Sequence, residues 1–173
     1  MRQSIRIAVV AALLIAGRPA VVSAADGPLP PPEDLDLARE MFRQLIAIDT
    51  THAKGSTVAA ETIRGWLLRA GFDERDLVLV APADKPTKGN LVVRYRGTGR
   101  DRPVLFLAHL DVVEARREDW TYDPFVLTEK DGWFYGRGAT DMKSGVAALA
   151  ASLVRLKRER FVPARDLIVA FTA

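Results

Sequence analysis

Apolar residues recur at intervals of three and four residues in three parts of the chain, which predicts three amphipathic helices. The first set comprises Ala38, Met41, Phe42, Leu45 and Ile46. The second set comprises Ala59, Ile63, Trp66, Leu67 and Ala70. The third set comprises Val146, Leu149, Ala150 and Leu153. Gly71 directly follows the second set and is a plausible helix stop, so this helix is expected to end there.

Four short apolar or β-rich runs predict strands over residues 77–80, 91–95, 104–108 and 167–172. The last two runs are continuously apolar, which favours strands buried on both faces. Helices that alternate with buried strands predict an α/β sandwich. There is no internal repeat in the sequence.

The first residues differ in character from the rest of the chain. Arg2 and Arg6 precede an apolar run over residues 7–16, and small residues at 22–25 offer a cleavage site. This pattern predicts a signal peptide over residues 1–25, and therefore a periplasmic or extracellular protein after cleavage. The apolar run is too short to span a bilayer, so no stable membrane anchor is expected. A proline-rich linker is predicted over residues 26–33 and a folded domain over residues 34–173.

Composition narrows the possible chemistry. Residues 1–25 carry three arginines and no acid, so the remainder balances 22 basic against 22 acidic residues. A balanced charge gives no compositional support for nucleic acid as a partner. The sequence contains no cysteine, so any metal ligands must be His, Asp or Glu.

A histidine and two aspartates stand where strands and loops could bring them together. His109 follows the run 104–108, and Asp111 lies two positions later, on the same side of an extended backbone. A loop that begins at Gly136 and Gly138 then delivers Asp141. Imidazole and carboxylate groups are good zinc ligands, which makes a metal site one interpretation. Two alternatives remain open: His109 as a core histidine bonded to Asp111, and Asp141 as the N-cap of a helix that begins near residue 143 or 144.

Other residues invite blander interpretations. The glycine loop does not match a phosphate cradle, because Asp141 occupies a position where the dinucleotide fingerprint requires glycine or alanine. We interpret His52 as a loop residue, and Trp120 with its neighbours as packing residues that hold the loop between the motifs. Lys143 is expected at the start of a helix with its side chain in solvent rather than on a substrate carboxylate.

Three ordered motifs resemble the M20 family of metallo-exopeptidases and deacylases. They are Phe106-Leu107-Ala108-His109-Leu110-Asp111-Val112-Val113, then Trp120 with Asp123-Pro124-Phe125, then Gly136-Arg137-Gly138-Ala139-Thr140-Asp141-Met142-Lys143-Ser144-Gly145. The resemblance implies a three-layer αβα sandwich of the zinc-exopeptidase type, of which this chain is the first part, without the lid domain and the second half. It also implies a non-proline cis peptide after Asp141 and a homodimer for a full-length form.

The resemblance assigns roles to three side chains. His109 would be a ligand of one metal, Asp141 would bridge two metals, and Asp111 would orient the His109 imidazole. The cofactors implied are two divalent cations, zinc first and cobalt or manganese as alternatives. A glutamate pair with the general base would follow the strand at 167–172, beyond Ala173.

The function expected from this resemblance is metal-dependent hydrolysis of amide bonds in small peptides or N-acyl amino acids. Because the general base is not among these residues, the chain alone is expected to be inactive. The alternative is an exported, non-catalytic binding module or gene fragment that retains the fold.

Overall fold

The computed structural model describes residues 30–173, so the predicted signal peptide and residues 26–29 of the predicted linker lie outside the described residues. The helices are α1 (Pro32–Ala47), α2 (Thr57–Arg69) and α3 (Ser144–Arg158). The strands are β1 (Leu77–Val80), β2 (Asn90–Tyr95), β3 (Val104–His109), β4 (Thr128–Lys130), β5 (Trp133–Tyr135) and β6 (Leu167–Thr172). All three predicted helices and all four predicted strands are present.

The helices form where the apolar periodicity predicts them. Helix α1 begins at Pro32, within the predicted linker, since proline is favoured at the first helical position, where its missing N–H costs no hydrogen bond. Helix α2 ends at Arg69, just before Gly71. In residues 30–173 we find no helix with the length and apolar character that crossing a bilayer demands.

The main sheet has four strands in the order β1-β2-β6-β3. Strand β2 runs antiparallel to both β1 and β6, whereas β3 runs parallel to β6. The connection from β3 to β6 contains the small antiparallel hairpin of β4 and β5, followed by α3. Because β3 and β6 are parallel neighbours, their carboxyl ends meet at one edge of the sheet, with His109 opposite Thr172.

The hydrophobic core lies between one face of the sheet and the three helices. The buried strand residues on this face are Leu77, Leu91, Val93, Tyr95, Ala108, Val169 and Phe171. The helices contribute Met41, Phe42, Leu45, Ile46, Ala59, Ala60, Ile63, Trp66, Leu67, Val146, Ala147, Ala150, Ala151 and Leu153. Most of the residues that carry the helical periodicity in the sequence therefore form the core, and Ala38, Ala70 and Leu149 pack against it partly buried.

The opposite face of the sheet is open to solvent among the described residues. Leu105 and Leu107 are 57% and 65% exposed there, and Val78 and Val80 are about half exposed. The prediction that β3 is buried on both faces is therefore wrong for residues 30–173, because no described helix covers this side. The α/β fold class is confirmed, with the sheet and one helical layer of the predicted sandwich present.

Candidate metal centre

The carboxyl end of β3 positions the first two candidate residues. His109 is the last residue of β3, and the chain is fixed directly after it by the Leu110 N–H, which donates to the Thr172 carbonyl at 2.6 Å. The side chains of His109 and Asp111 lie together, as their spacing predicts: Asp111 Oδ1 is 3.3 Å from His109 Nδ1. The Asp111 backbone carbonyl is also near this nitrogen, at 3.1 Å.

Asp141 lies in a kinked turn, Ala139–Lys143, immediately before α3. Gly138 enters this turn with a φ of +77°, and its carbonyl accepts a hydrogen bond from the Lys143 N–H at 2.9 Å. Asp141 and Met142 have non-helical backbone angles, and the peptide bond between them is cis, as the resemblance implies. The turn thereby presents the Asp141 carboxylate at the mouth of the site, where the side chain is 85% exposed.

His109 and Asp141 contact each other directly. The Nε2 atom of His109 lies 2.8 Å from Oδ1 of Asp141. This hydrogen bond, supported by the Asp111 carbonyl on the other ring nitrogen, raises the pKa of His109, although partial burial opposes the shift. The structure does not favour the two alternatives to a metal site. The His109 side chain is 37% exposed and so is not a core histidine, and α3 has no side-chain N-cap hydrogen bond from Asp141.

A cavity of about 510 Å³ opens beside this pair. Its walls include His109, Asp111 and Asp141 together with Trp120 and Arg137. The Arg137 guanidinium packs over the Trp120 ring, 4.9 Å from the ring centroid, and donates to the Glu114 carbonyl at 3.3 Å. Trp120 thus packs against the loop that carries Arg137, in agreement with the packing role predicted for it.

The donors present fit a divalent cation in their chemistry. An imidazole nitrogen and a carboxylate oxygen face each other at the rim of a cavity, and the second ring nitrogen already has acceptors in Asp111. Nε2 is therefore the nitrogen available to a cation. Within residues 30–173 no group of three or more His, Cys, Asp or Glu side chains is arranged to hold a metal.

Lys143 differs from its predicted place in solvent. Its side chain is 1% exposed, and Nζ donates to the carbonyls of Leu45 and Ile48 at 2.8 and 2.7 Å. Burial lowers the pKa of Lys143 to about 8, while the charge of Asp49 opposes the shift. The sequence carried a signal for this position: Lys143 stands three residues before Val146 and seven before Ala150, on the apolar stripe of α3.

Thr50 was also missed by the sequence analysis. It is fully buried, and its hydroxyl donates to the Leu110 carbonyl at 2.6 Å. No sequence signal marks it, because a threonine after a helix is ordinary.

His52 lies in the loop after α1, as predicted. Its ring nitrogen Nδ1 is 3.5 Å from Lys88 Nζ, and the Lys88 side chain donates to the His52 carbonyl at 2.7 Å. His52 lines a neighbouring cavity of about 360 Å³, which Asp111 also lines.

The comparisons with known proteins agree with this geometry. Residues 105–173 match the model of peptidase family M20/M25/M40. A succinyl-diaminopimelate desuccinylase of Parvibaculum lavamentivorans is 34% identical over 146 residues, which cover 84% of this chain and 35% of the relative. The chain spans about a quarter to a third of the length of the curated relatives it matches.

Solved structures show the same fold. The dipeptidase Dug1p of Saccharomyces cerevisiae matches with a TM-score of 0.66 and 22% identity, over 82% of this chain and 33% of that protein. The YXEP protein of Bacillus subtilis, a dinuclear metal-binding peptidase of the M20 family, matches with a TM-score of 0.51 and 15% identity. This second match covers 80% of this chain and 35% of that protein.

Proposed function

We propose that this chain, which belongs to the M20 peptidase family, carries part of the metal centre of a hydrolase that cleaves amide bonds in small substrates. The observation that carries the proposal is the 2.8 Å contact between His109 Nε2 and Asp141 Oδ1 at the rim of the 510 Å³ cavity. Two donors of the types that zinc prefers thus converge from segments 32 positions apart in the sequence.

In this proposal His109 and Asp141 hold the cofactor, which is two divalent cations, zinc first and cobalt or manganese as alternatives. When bound, such a pair of cations polarises the scissile carbonyl and lowers the pKa of the attacking water. His109 would offer Nε2 to a cation. Asp141 would offer the two oxygens of an exposed carboxylate.

Asp111 acts on His109 rather than on the cations. Its carboxylate and its backbone carbonyl both lie near Nδ1, so the ring keeps its proton on that nitrogen. The lone pair of Nε2 is then free to coordinate a cation. Asp111 therefore sets the tautomer and the direction of the imidazole.

The substrate class we propose is small peptides or N-acyl amino acids. The curated relative reported above is a succinyl-diaminopimelate desuccinylase, which favours an N-acyl amino acid, whereas Dug1p is a dipeptidase. The cavity carries Arg137 in its wall, a cationic group that suits a substrate with a carboxylate. We further propose that the protein is exported, on the basis of the signal-peptide pattern in residues 1–25.

The experiment that tests this function uses the product of the complete gene, loaded with zinc. It measures hydrolysis of a panel of N-succinyl amino acids and dipeptides, with His109→Ala and Asp141→Ala as variants and Asp119→Ala as an exposed control. We expect zinc-dependent turnover that both site variants abolish and the control retains. A folded, zinc-loaded protein without turnover on the panel would favour a non-catalytic binding module, and unchanged turnover in Asp141→Ala would refute the proposed site.

A further inference from the structure

One short segment at the end of α1 contacts both halves of the candidate metal centre. This segment, residues 45–50, runs from the last turn of α1 to the loop that follows it. It touches the chain after His109 on one side and the turn that carries Asp141 on the other. We call it the bridging segment.

Thr50 makes the first connection, to the chain that follows His109. The Thr50 hydroxyl donates to the Leu110 carbonyl at 2.6 Å, and the Val112 N–H donates to the Thr50 carbonyl at 3.1 Å. These two bonds hold Leu110 and Val112, the residues on either side of Asp111, and Thr50 is 0% exposed. Because buried hydrogen bonds that close a ring leave little freedom, Thr50 fixes the backbone that carries Asp111.

Lys143 makes the second connection, to the turn that carries Asp141. Its Nζ donates to the carbonyls of Leu45, in the last turn of α1, and of Ile48, the residue that follows this helix. The Lys143 N–H also closes the turn onto the Gly138 carbonyl. Since the Lys143 side chain is buried and held by two carbonyls, the turn cannot shift without breaking charge-assisted hydrogen bonds.

We propose that Thr50 and Lys143 are positioning residues that set the distance between His109 and Asp141 through their common attachment to the bridging segment. Neither side chain lines the cavity beside His109 and Asp141. Their importance for catalysis rests on the proposed function, but the geometry they control is present without metal. It can therefore be measured without metal.

The test reads the His109–Asp141 hydrogen bond in the metal-free chain by NMR. The ¹⁵N shift of His109 Nε2 is recorded at pH about 5, well below the ordinary imidazole pKa of about 6.5. The unmodified chain defines the intact bond and Asp141→Ala defines the broken one. We expect Lys143→Met and Thr50→Val each to move the shift at least half of the way toward the Asp141→Ala value.

Two controls separate positioning from loss of stability. Thr50→Ser keeps the hydroxyl and is expected to keep the shift of the unmodified chain. Leu153→Ala removes a buried side chain of α3 and is expected to lower stability without moving the His109 shift. Unfolding in urea measures the stability of every variant.

The proposal is overturned if Lys143→Met and Thr50→Val move the His109 Nε2 shift by less than half of the difference between the unmodified chain and Asp141→Ala. It is also overturned if Leu153→Ala moves this shift as far as they do. A shift in only one of the two variants overturns the role of a common segment. If Lys143→Met does not fold, Thr50→Val against Thr50→Ser decides alone. If the NMR test fails, zinc binding and hydrolysis still test the proposed function. If those two tests fail, the NMR test of positioning can still be made, because it needs no metal.

Discussion

Gly138 lies so close to Val112 that a Cβ atom on the glycine would stand 2.6 Å from Val112 Cγ1. The same atom would lie 3.4 Å from the Cδ of Lys143. Gly138 also has a φ of +77°, a conformation that side-chain-bearing residues adopt at a cost. The turn that carries Asp141 can therefore pack against the loop after β3 only if this position has no side chain.

Replacing Gly138 by alanine is expected to destabilise the protein by about 2–4 kcal/mol, from the left-handed backbone and from overpacking against Val112. Gly132 is the matched control, because it has a φ of +79° with no atom within 4 Å of a built Cβ. Gly132→Ala should cost only about 1 kcal/mol. Urea unfolding of both variants measures the difference, and equal losses would show that the contact with Val112 is unimportant.

Asp111 is expected to support metal binding without being a ligand. In Asp111→Ala the backbone carbonyl at 3.1 Å from Nδ1 remains, so only the carboxylate contribution is lost. Loss of such support typically costs about 10–100-fold in metal affinity, and we expect the lower end of that range. A zinc titration followed through the His109 ring resonances measures the change.

Asp119→Ala serves as the control for this titration, because Asp119 pairs with Arg116 on the surface. It should leave the zinc affinity unchanged. An affinity for Asp111→Ala within twofold of the unmodified chain would remove Asp111 from the proposed centre. Because His109 and Asp141 alone fall short of the four ligands that zinc prefers, we expect residues 26–173 to hold zinc weakly. Tight, stoichiometric zinc binding by these residues would contradict this.

Asp166 gives the fold a dependence on pH. Its carboxylate accepts hydrogen bonds from the Gly97 N–H at 2.8 Å and from Arg94 Nε at 2.7 Å, and these bonds lower the pKa of Asp166. Because the pKa of Asp166 is lower in the folded state, its ionised carboxylate stabilises the protein at pH values above the unfolded-state pKa of about 3.9. That stability is lost as the pH falls from about 4 through the folded-state value.

We therefore expect Asp166→Asn to be less stable than the unmodified chain at pH 7, with a gap that narrows as the pH falls to about 3. Urea unfolding at a series of pH values measures the gap. Asp101→Asn is the control, because Asp101 is half exposed and lies 3.4 Å from Arg165. A gap for Asp166→Asn that stays constant with pH would show that its ionisation does not contribute.

The parts of the fold that follow from local pattern could be predicted from the sequence. The α1 and α2 periodicities led to the right helices, and the runs at 77–80 and 167–172 are strands with those bounds. The meeting of His109 with Asp111 follows from their spacing at a strand end. In these cases the residues that decide the outcome are close together in the chain.

Features that depend on distant residues could not be predicted in this way. The contact of Lys143 with Leu45 and Ile48 joins positions almost a hundred residues apart, and a general rule that lysine prefers solvent points the other way. The exposure of β3 could not be predicted either. An apolar run indicates that a strand can be buried, but it does not indicate which elements cover the strand. The place of Lys143 on the apolar stripe of α3 indicates burial, but tertiary packing decides which carbonyls it contacts, as it decides which elements cover β3.

The open face of the sheet should make residues 30–173 prone to associate. Leu105 and Leu107 stand exposed on β3, and β3 pairs only with β6 among the described strands, so its other edge is free. Placing glutamate at both positions is expected to suppress association without loss of folding, because charges on a free edge oppose strand pairing. Light scattering as a function of protein concentration measures the association.

Val126→Glu, at an exposed apolar position outside the sheet, is the control and should scatter like the unmodified chain. Scattering from the double variant that equals that of the unmodified chain would show that association occurs through another surface.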